Sequence, residues 1–182
     1  MKMKTNYIFF AALLLPMIII ACEGPQGPSG PEGPSGPQGP TILPASFDFT
    51  ADLSEDNEFE AFMDIPQEIE ILDSDIFIAY VLEDYIEEED LEIWRQLPVT
   101  DFTDEGTRII NFDFTFIDVR IFLDADYQLG QNDEFFELLF RAVHIPADFV
   151  SDLNASQLQS AQSPEELEQL INAQIQTLGK IE

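Results

Sequence analysis

The sequence has little cysteine, histidine or positive charge. One cysteine, one histidine and 7 Lys and Arg stand against 36 Asp and Glu, so the formal net charge over 182 residues is -29. Nucleic-acid binding is excluded, because it needs basic residues that displace counterions from phosphates. One cysteine cannot form an internal disulfide, and one histidine cannot build a His-rich metal site. The chain is still 45% apolar, which is enough for one domain with its own core.

The first 21 residues have the composition of a secretory signal peptide. Lys2 and Lys4 precede an apolar run over residues 7–21, and polar sequence follows at once. A membrane-spanning helix is the alternative, but the run is shorter than the roughly 20 residues needed to span a bilayer, and Pro16 interrupts it. We therefore expect export and removal of residues 1–21.

The end of this run, Ile19-Ile20-Ala21-Cys22, resembles the lipobox of bacterial lipoproteins, with Ile19 where leucine is usual. In that family the leader is cut before the cysteine, whose thiol carries a diacylglyceryl group and whose new amino group is acylated. The resemblance implies cleavage after Ala21 and lipidation of Cys22, a durable anchor because it has more than one acyl chain. A chance cysteine after a cleaved signal is the alternative.

Six Gly-Pro-Y triplets follow the cysteine, so residues 22–41 are expected to form a collagen-like tether. The glycines are Gly24, Gly27, Gly30, Gly33, Gly36 and Gly39. Glycine at every third position is the collagen requirement, because only a hydrogen side chain fits at the axis of three polyproline II strands. Two interpretations stay open. The segment forms a triple helix in a homotrimer, or it is a single-chain spacer, disordered or polyproline II, of about 55 Å.

From residue 42 onward the sequence has the period-two pattern of a β domain. This part holds 34 of the 36 acidic residues and only three glycines. Strands are predicted at 47–53, 59–65, 76–82, 91–97, 108–123 and 134–145. The run at 76–82 is apolar on both faces, as in a central strand, and 108–123 changes phase, as at a bulge or corner. We therefore expect a mainly β head over residues 42–150, folded as an antiparallel β-sandwich.

Residues 151–182 have the pattern of a linker and an amphipathic helix. Ser163 and Pro164 suit an N-cap and a first helical position, and apolar residues at helical spacing continue to Leu178. Gly179 is a suitable terminator. The sequence therefore predicts one C-terminal helix packed on the sandwich, with a trimeric coiled coil as the alternative.

The head shows no identifiable catalytic set. With so many carboxylates, pairs can be drawn almost anywhere, and only burial would separate their pKa values. His144 has no evident nucleophilic partner and is expected to be structural. We expect a head that is not an enzyme and needs no cofactor. The alternative is a secreted hydrolase that acts on glycans through a carboxylate pair.

Calcium is the one ligand that the head's sequence suggests. Asp124 and Asp126 occupy the first and third positions of a possible Ca²⁺ loop, and Asp133 follows. Gln128 and Leu129 stand where an EF-hand needs an oxygen ligand and a glycine, so this is not an EF-hand. A cation bound by Asp124, Asp126 and Asp133 stays a possibility.

Positive charge and the single tryptophan fall within the predicted strands. The arginines are Arg95, Arg108, Arg120 and Arg141. Structural pairing with cross-strand carboxylates is favoured over ligand binding. Trp94 is favoured as a core residue over a sugar-stacking platform. The acidic run 83–90 is predicted to be a solvated loop, with a cation or basic-partner site as the alternative.

The order of lipobox, Gly-Pro-Y tether and acidic β head resembles collagen-like lipoproteins predicted in many Gram-negative genomes. The specific motifs cover the first 41 residues, and the head brings no family activity. The resemblance implies an exported protein in the cell envelope, anchored through Cys22 to lipid of the outer membrane. We expect a surface interaction or structural module with a protein or glycan ligand that the sequence does not identify.

Overall fold

The computed structural model describes residues 42–181. The predicted signal peptide, the lipobox and the Gly-Pro-Y segment lie outside the described residues, and their assignments stay predictions. Within 42–181 no helix is long and apolar enough to cross a membrane.

The described part is mainly β, as the sequence predicts. Its strands are β1 (Ala45–Leu53), β2 (Glu60–Asp64), β3 (Ile76–Ile86), β4 (Leu91–Gln96), β5 (Val99–Phe102), β6 (Thr107–Phe114), β7 (Asp118–Ala125), β8 (Phe135–Ile145) and β9 (Gln176–Ile181). Its α-helices are α1 (Ala147–Val150), α2 (Ala155–Leu158) and α3 (Pro164–Ile171).

The strands form two sheets. The five-stranded sheet has the order β4-β3-β8-β1-β9, and the four-stranded sheet has the order β2-β7-β6-β5. Neighbouring strands are antiparallel except β1 and β9, which are parallel. The expectation of a wholly antiparallel arrangement is therefore wrong at β9, because the chain returns through α1, α2 and α3 before it pairs with β1.

The main core lies between the two sheets. Phe47 and Phe49 of β1 are fully buried, as are Val119 and Ile121 of β7, and all four belong to one hydrophobic cluster. Alternation places these side chains inward and their polar neighbours outward. The ring of Phe49 stacks on that of Phe140, with 5.6 Å between centroids. Aromatic alternation, visible in the sequence, therefore does form the core.

The predicted long strand at 108–123 is in fact a hairpin of β6 and β7. The turn is built by Thr115, whose Oγ1 accepts hydrogen bonds from the backbone N–H groups of Ile117 (3.0 Å) and Asp118 (3.2 Å). The same hydroxyl lies 2.6 Å from Oδ1 of Asp118. A hydroxyl-stabilised turn needs no glycine or proline, so the β-rich sequence conceals it.

The C-terminal helix is shorter than predicted. Ser163 does cap it, since its hydroxyl accepts a hydrogen bond from the N–H of Glu166. The helix ends at Asn172, which has left-handed backbone angles, and the following residues pair with β1 as β9. Leu178 and Gly179 therefore lie in a strand. Leu167 and Ile171 pack against the outer face of the five-stranded sheet, as expected for a core-facing helix.

The predicted acidic loop is only partly a loop. β3 extends to Ile86, so the first half of the acidic run is in a strand, and a turn occupies 87–90. β5 and β9 were not predicted, because they are short or weakly apolar.

Candidate functional site

Four large apolar side chains are exposed near one end of the head. They are Phe62 (62% exposed), Leu72 (50%), Phe116 (63%) and Ile117 (70%). We call them the apolar end surface. Phe62 comes from β2, Leu72 from the segment before β3, and the other two from the β6–β7 turn. Single exposed apolar residues are ordinary on proteins, but a cluster of them is typical of an interaction site.

Phe116 connects the two halves of this surface. It lines an open groove of about 850 Å³ together with Phe62 and Ile117. It also lines a smaller cavity of about 170 Å³ together with Leu72. Asp64 and Asp73 line the groove and the smaller cavity, respectively. The apolar end surface is therefore continuous and has acidic side chains beside it.

Strand register shows which end of the sandwich carries this surface. Ala45, the first residue of β1, pairs with His144, and His144 pairs with Phe77. The Phe77 ring lies 5.1 Å from the ring of Phe114, the residue directly before the β6–β7 turn. The chain thus passes from residue 42 into the head at the same end as the apolar end surface.

A buried acid–base pair lies beneath this end. Nε2 of His144 is 2.9 Å from Oδ2 of Asp75, and each side chain is only 1% exposed. The Asp75 carboxylate also accepts hydrogen bonds from the backbone N–H groups of Leu72 (2.9 Å) and Ala147 (3.0 Å). Nδ1 of His144 has no hydrogen-bond partner within residues 42–181.

The charge of Asp75 follows from these contacts. Burial raises the pKa of its carboxyl group, but the hydrogen bonds from Leu72, His144 and Ala147 outweigh burial and hold the pKa below the ordinary value of 3.8. Asp75 is therefore ionised at neutral pH, and the ring nitrogen that faces it donates a hydrogen. The pair fastens the segment before β3 to β8 and α1, which agrees with a structural histidine.

The arginines pair with carboxylates, as predicted. Three pairs sit directly opposite each other on neighbouring strands: Asp48–Arg141, Asp101–Arg108 and Asp113–Arg120. The fourth arginine, Arg95 on β4, pairs with Glu83 of β3. Positive charge in the strands thus neutralises part of the sheets' acidic surface.

Arg141 also determines the environment of Trp94. Its guanidinium donates two hydrogen bonds to Asp48, at 2.7 and 2.8 Å, and lies 4.3 Å above the centre of the Trp94 ring. Trp94 is 6% exposed and belongs to the cluster under α3. The prediction of a core tryptophan is confirmed. One ring face is covered by an arginine, which leaves no open platform for a sugar.

A cavity of about 300 Å³ between the sheets contains two carboxylates and two arginines. Glu83 is paired with Arg95, and Asp101 with Arg108. Both carboxylates are about half exposed, and an arginine occupies each of them. The hydrolase hypothesis needs a carboxylate pair of unequal environments, and this cavity does not supply one.

The structure separates the three candidate calcium ligands. Asp133 is buried and accepts hydrogen bonds from the Tyr127 hydroxyl (2.6 Å), from Gly130 N–H (3.0 Å) and from Arg108 (3.3 Å). The hydrogen bond from Tyr127 is the main cause that lowers the pKa of Asp133.

Asp124 and Asp126 lie at a different, open cavity, and Oδ1 of Asp126 accepts a hydrogen bond from Thr107 N–H at 2.8 Å. In residues 42–181 no three His, Cys, Asp or Glu side chains form a group that could hold a metal. Calcium binding stays a prediction.

The predicted acidic run contributes two local contacts. Glu83 holds Arg95, and Asp90 accepts a hydrogen bond from the Tyr85 hydroxyl at 2.6 Å. Glu87, Glu88 and Glu89 are exposed in the turn, as the solvated-loop interpretation expects.

Sequence reasoning missed the apolar end surface and Asp75. Phe116 and Ile117 were assigned to a strand because their neighbours alternate, although the change of phase there marked an interruption. Asp75 precedes a strongly apolar run, which is a position where a carboxylate can cap a turn, but its partner is 69 residues away in sequence. Only the fold brings the two together.

Ala21, Cys22 and the six repeat glycines precede the described residues. No family model matches the chain, and neither a curated protein nor a solved structure matches it. The functional argument therefore depends on the residues themselves.

Proposed function

We propose that the protein is a lipid-anchored interaction module of the cell envelope, without catalytic activity of its own. Cys22 attaches it to the outer membrane, the Gly-Pro-Y segment is a polyproline II tether, and the sandwich head presents the apolar end surface to a protein partner. The supporting observation is that surface itself. Phe62, Phe116 and Ile117 are more than half exposed on a chain with a net charge of -29.

Apolar exposure of this kind has a cost on an otherwise acidic surface. Each exposed aromatic or aliphatic side chain loses the free energy that burial would give, about 1.5–3 kcal/mol when complete. A folded head could bury Phe116 and Ile117 by a different turn, or carry polar residues there. Their exposure therefore favours a surface that is covered in the assembled state.

The anchor is supported by the sequence alone. Lysines, an apolar run, a small residue and a cysteine occur in the order that lipoprotein processing requires. The Gly-Pro-Y segment directly follows the cysteine, so it would lie between the lipid and the head. A proline-rich segment of this length is a semi-rigid spacer.

Cell fractionation of the full-length protein tests the anchor. Cys22→Ala should move the protein from the membrane to the soluble fraction, because the acyl chains have no other attachment point. Gly30→Ala is the matched control, since it breaks the repeat but keeps the cysteine, and it should stay with the membrane. Retention of Cys22→Ala in the membrane fraction would refute lipidation.

A further inference from the structure

We propose that the apolar end surface is the contact through which three copies of this chain associate, so that the heads align the three Gly-Pro-Y segments. This inference deepens the proposed function, because it identifies the partner of the surface as two further copies of the chain.

The first argument is the repeat. Glycine at every third position, unbroken through six triplets, is a requirement of three wound chains and of no single-chain spacer. Six triplets make a short triple helix. Such a helix is marginal unless the chains are also held together beside it, which a trimeric head would do.

The second argument is position. Ala45 begins β1 at the end of the sandwich that carries Phe116 and Ile117. Three chains wound together just before residue 42 must bring their heads together at that end. In a cyclic trimer, residues close to the three-fold axis meet their own copies. Apolar side chains are therefore found where the repeat would place the contact.

The third argument concerns strength. Stable protein interfaces bury about 1,600 Å² in total, more than four side chains supply, so isolated heads should associate weakly. Linkage through the repeat and a shared membrane raises the effective concentration to the millimolar range, where a weak contact is sufficient. Asp64 and Asp73 beside the surface repel one another across it, so added salt should strengthen association.

Sedimentation of the full-length protein, extracted from membranes in density-matched detergent, tests this inference. The wild-type protein should sediment with the mass of three chains. The double variant Phe116→Ser with Ile117→Ser should need at least tenfold more protein to reach the same trimer fraction. Both side chains are exposed, so the fold should survive, and an unchanged Trp94 fluorescence spectrum would verify this.

Phe102→Ser is the matched control. Phe102 is 80% exposed, but it pairs with Thr107 at the opposite end of β6 and should not affect association. A wild-type mass of one chain, or a double variant that trimerises as the wild type does, would overturn the inference. If that variant also lost binding to phospholipid vesicles, the surface would belong to lipid instead.

The chain count is independent of the anchor. Sedimentation reports mass whether or not Cys22 is lipidated, and fractionation reports lipidation whether one chain or three are present. Failure of the trimer and failure of the anchor are therefore distinguishable.

Discussion

Asp75 and His144 show how a single buried pair can organise one end of the head. The carboxylate accepts hydrogen bonds from His144 and from two backbone N–H groups, which belong to the segment before β3 and to α1. A buried charge with three donors is well compensated, but removal of the charge leaves the donors without an ionised acceptor. This end also carries the apolar end surface, so its shape depends on the pair.

Asp75→Asn should lower the free energy of unfolding by about 3 kcal/mol at pH 7. The pKa of Asp75 is lowered in the folded protein, so its contribution is present above the ordinary value of 3.8 and is lost as the pH falls through the folded-state pKa. The difference between wild type and variant should therefore shrink below about pH 4. Urea unfolding at a series of pH values measures it.

Asp73→Asn is the control for this prediction, because Asp73 is a nearby exposed carboxylate. It should change stability by no more than about 0.5 kcal/mol. A wild-type-to-Asp75→Asn difference that stays constant from pH 7 to pH 3 would contradict the role given to the carboxylate charge.

Local residue chemistry was predictable where the partner lies on the next strand. Arg108 and Arg120 find Asp101 and Asp113 across hairpins, and alternation alone indicates such pairs. Asp75 could not be predicted, since its partner is distant in sequence and burial creates the interaction.

At the scale of elements, α3 shows which helix signals are dependable. Ser163 and Pro164 specify its start, because a capping hydroxyl and a missing N–H act locally. Its end depends on tertiary structure. Asn172 adopts a left-handed conformation, and Glu168 accepts a hydrogen bond from Ile175 N–H at 2.7 Å. The continued apolar spacing to Leu178 reflects a strand that pairs with β1.

Leu167 should contribute most to the attachment of α3. It is fully buried and belongs to the same cluster as Tyr80, whose hydroxyl donates to the Ala161 carbonyl at 3.1 Å. Leu167→Ala should lower the free energy of unfolding by about 3 kcal/mol through lost burial and a cavity. Trp94, the only tryptophan, lies in this cluster, so denaturant unfolding followed by its fluorescence measures the change.

Gln169→Ala on the exposed face of the same helix serves as the control, and it should change stability by less than about 0.5 kcal/mol. Equal losses for Leu167→Ala and Gln169→Ala would show that helix propensity matters here and packing does not.

At the scale of the whole molecule, alternation predicted a mainly β head but not its strand order. Each strand carries its own pattern, whereas pairing of β1 with β8 and β9 joins segments far apart in the chain. The β6–β7 turn was missed for a related reason, because Thr115 builds it with a hydroxyl. The exposed side chains of that turn became visible only when both sheets were in place.

The division of labour along the chain follows from composition. The glycine of the first part is concentrated in the repeat, and nearly all the acidic residues follow residue 41. Acidic charge keeps the head soluble and away from nonspecific contacts. The apolar end surface is the exception to that charge, and it lies where the chain enters the head.

The central claim is that this head is held to a membrane by a lipidated Cys22. The most direct test is the mass of the N-terminal peptide of the protein extracted from membranes. We predict a chain that begins at Cys22 and carries a diacylglyceryl group and an acylated amino group. A peptide that begins at Met1, or one that begins elsewhere with an unmodified cysteine, would contradict the account.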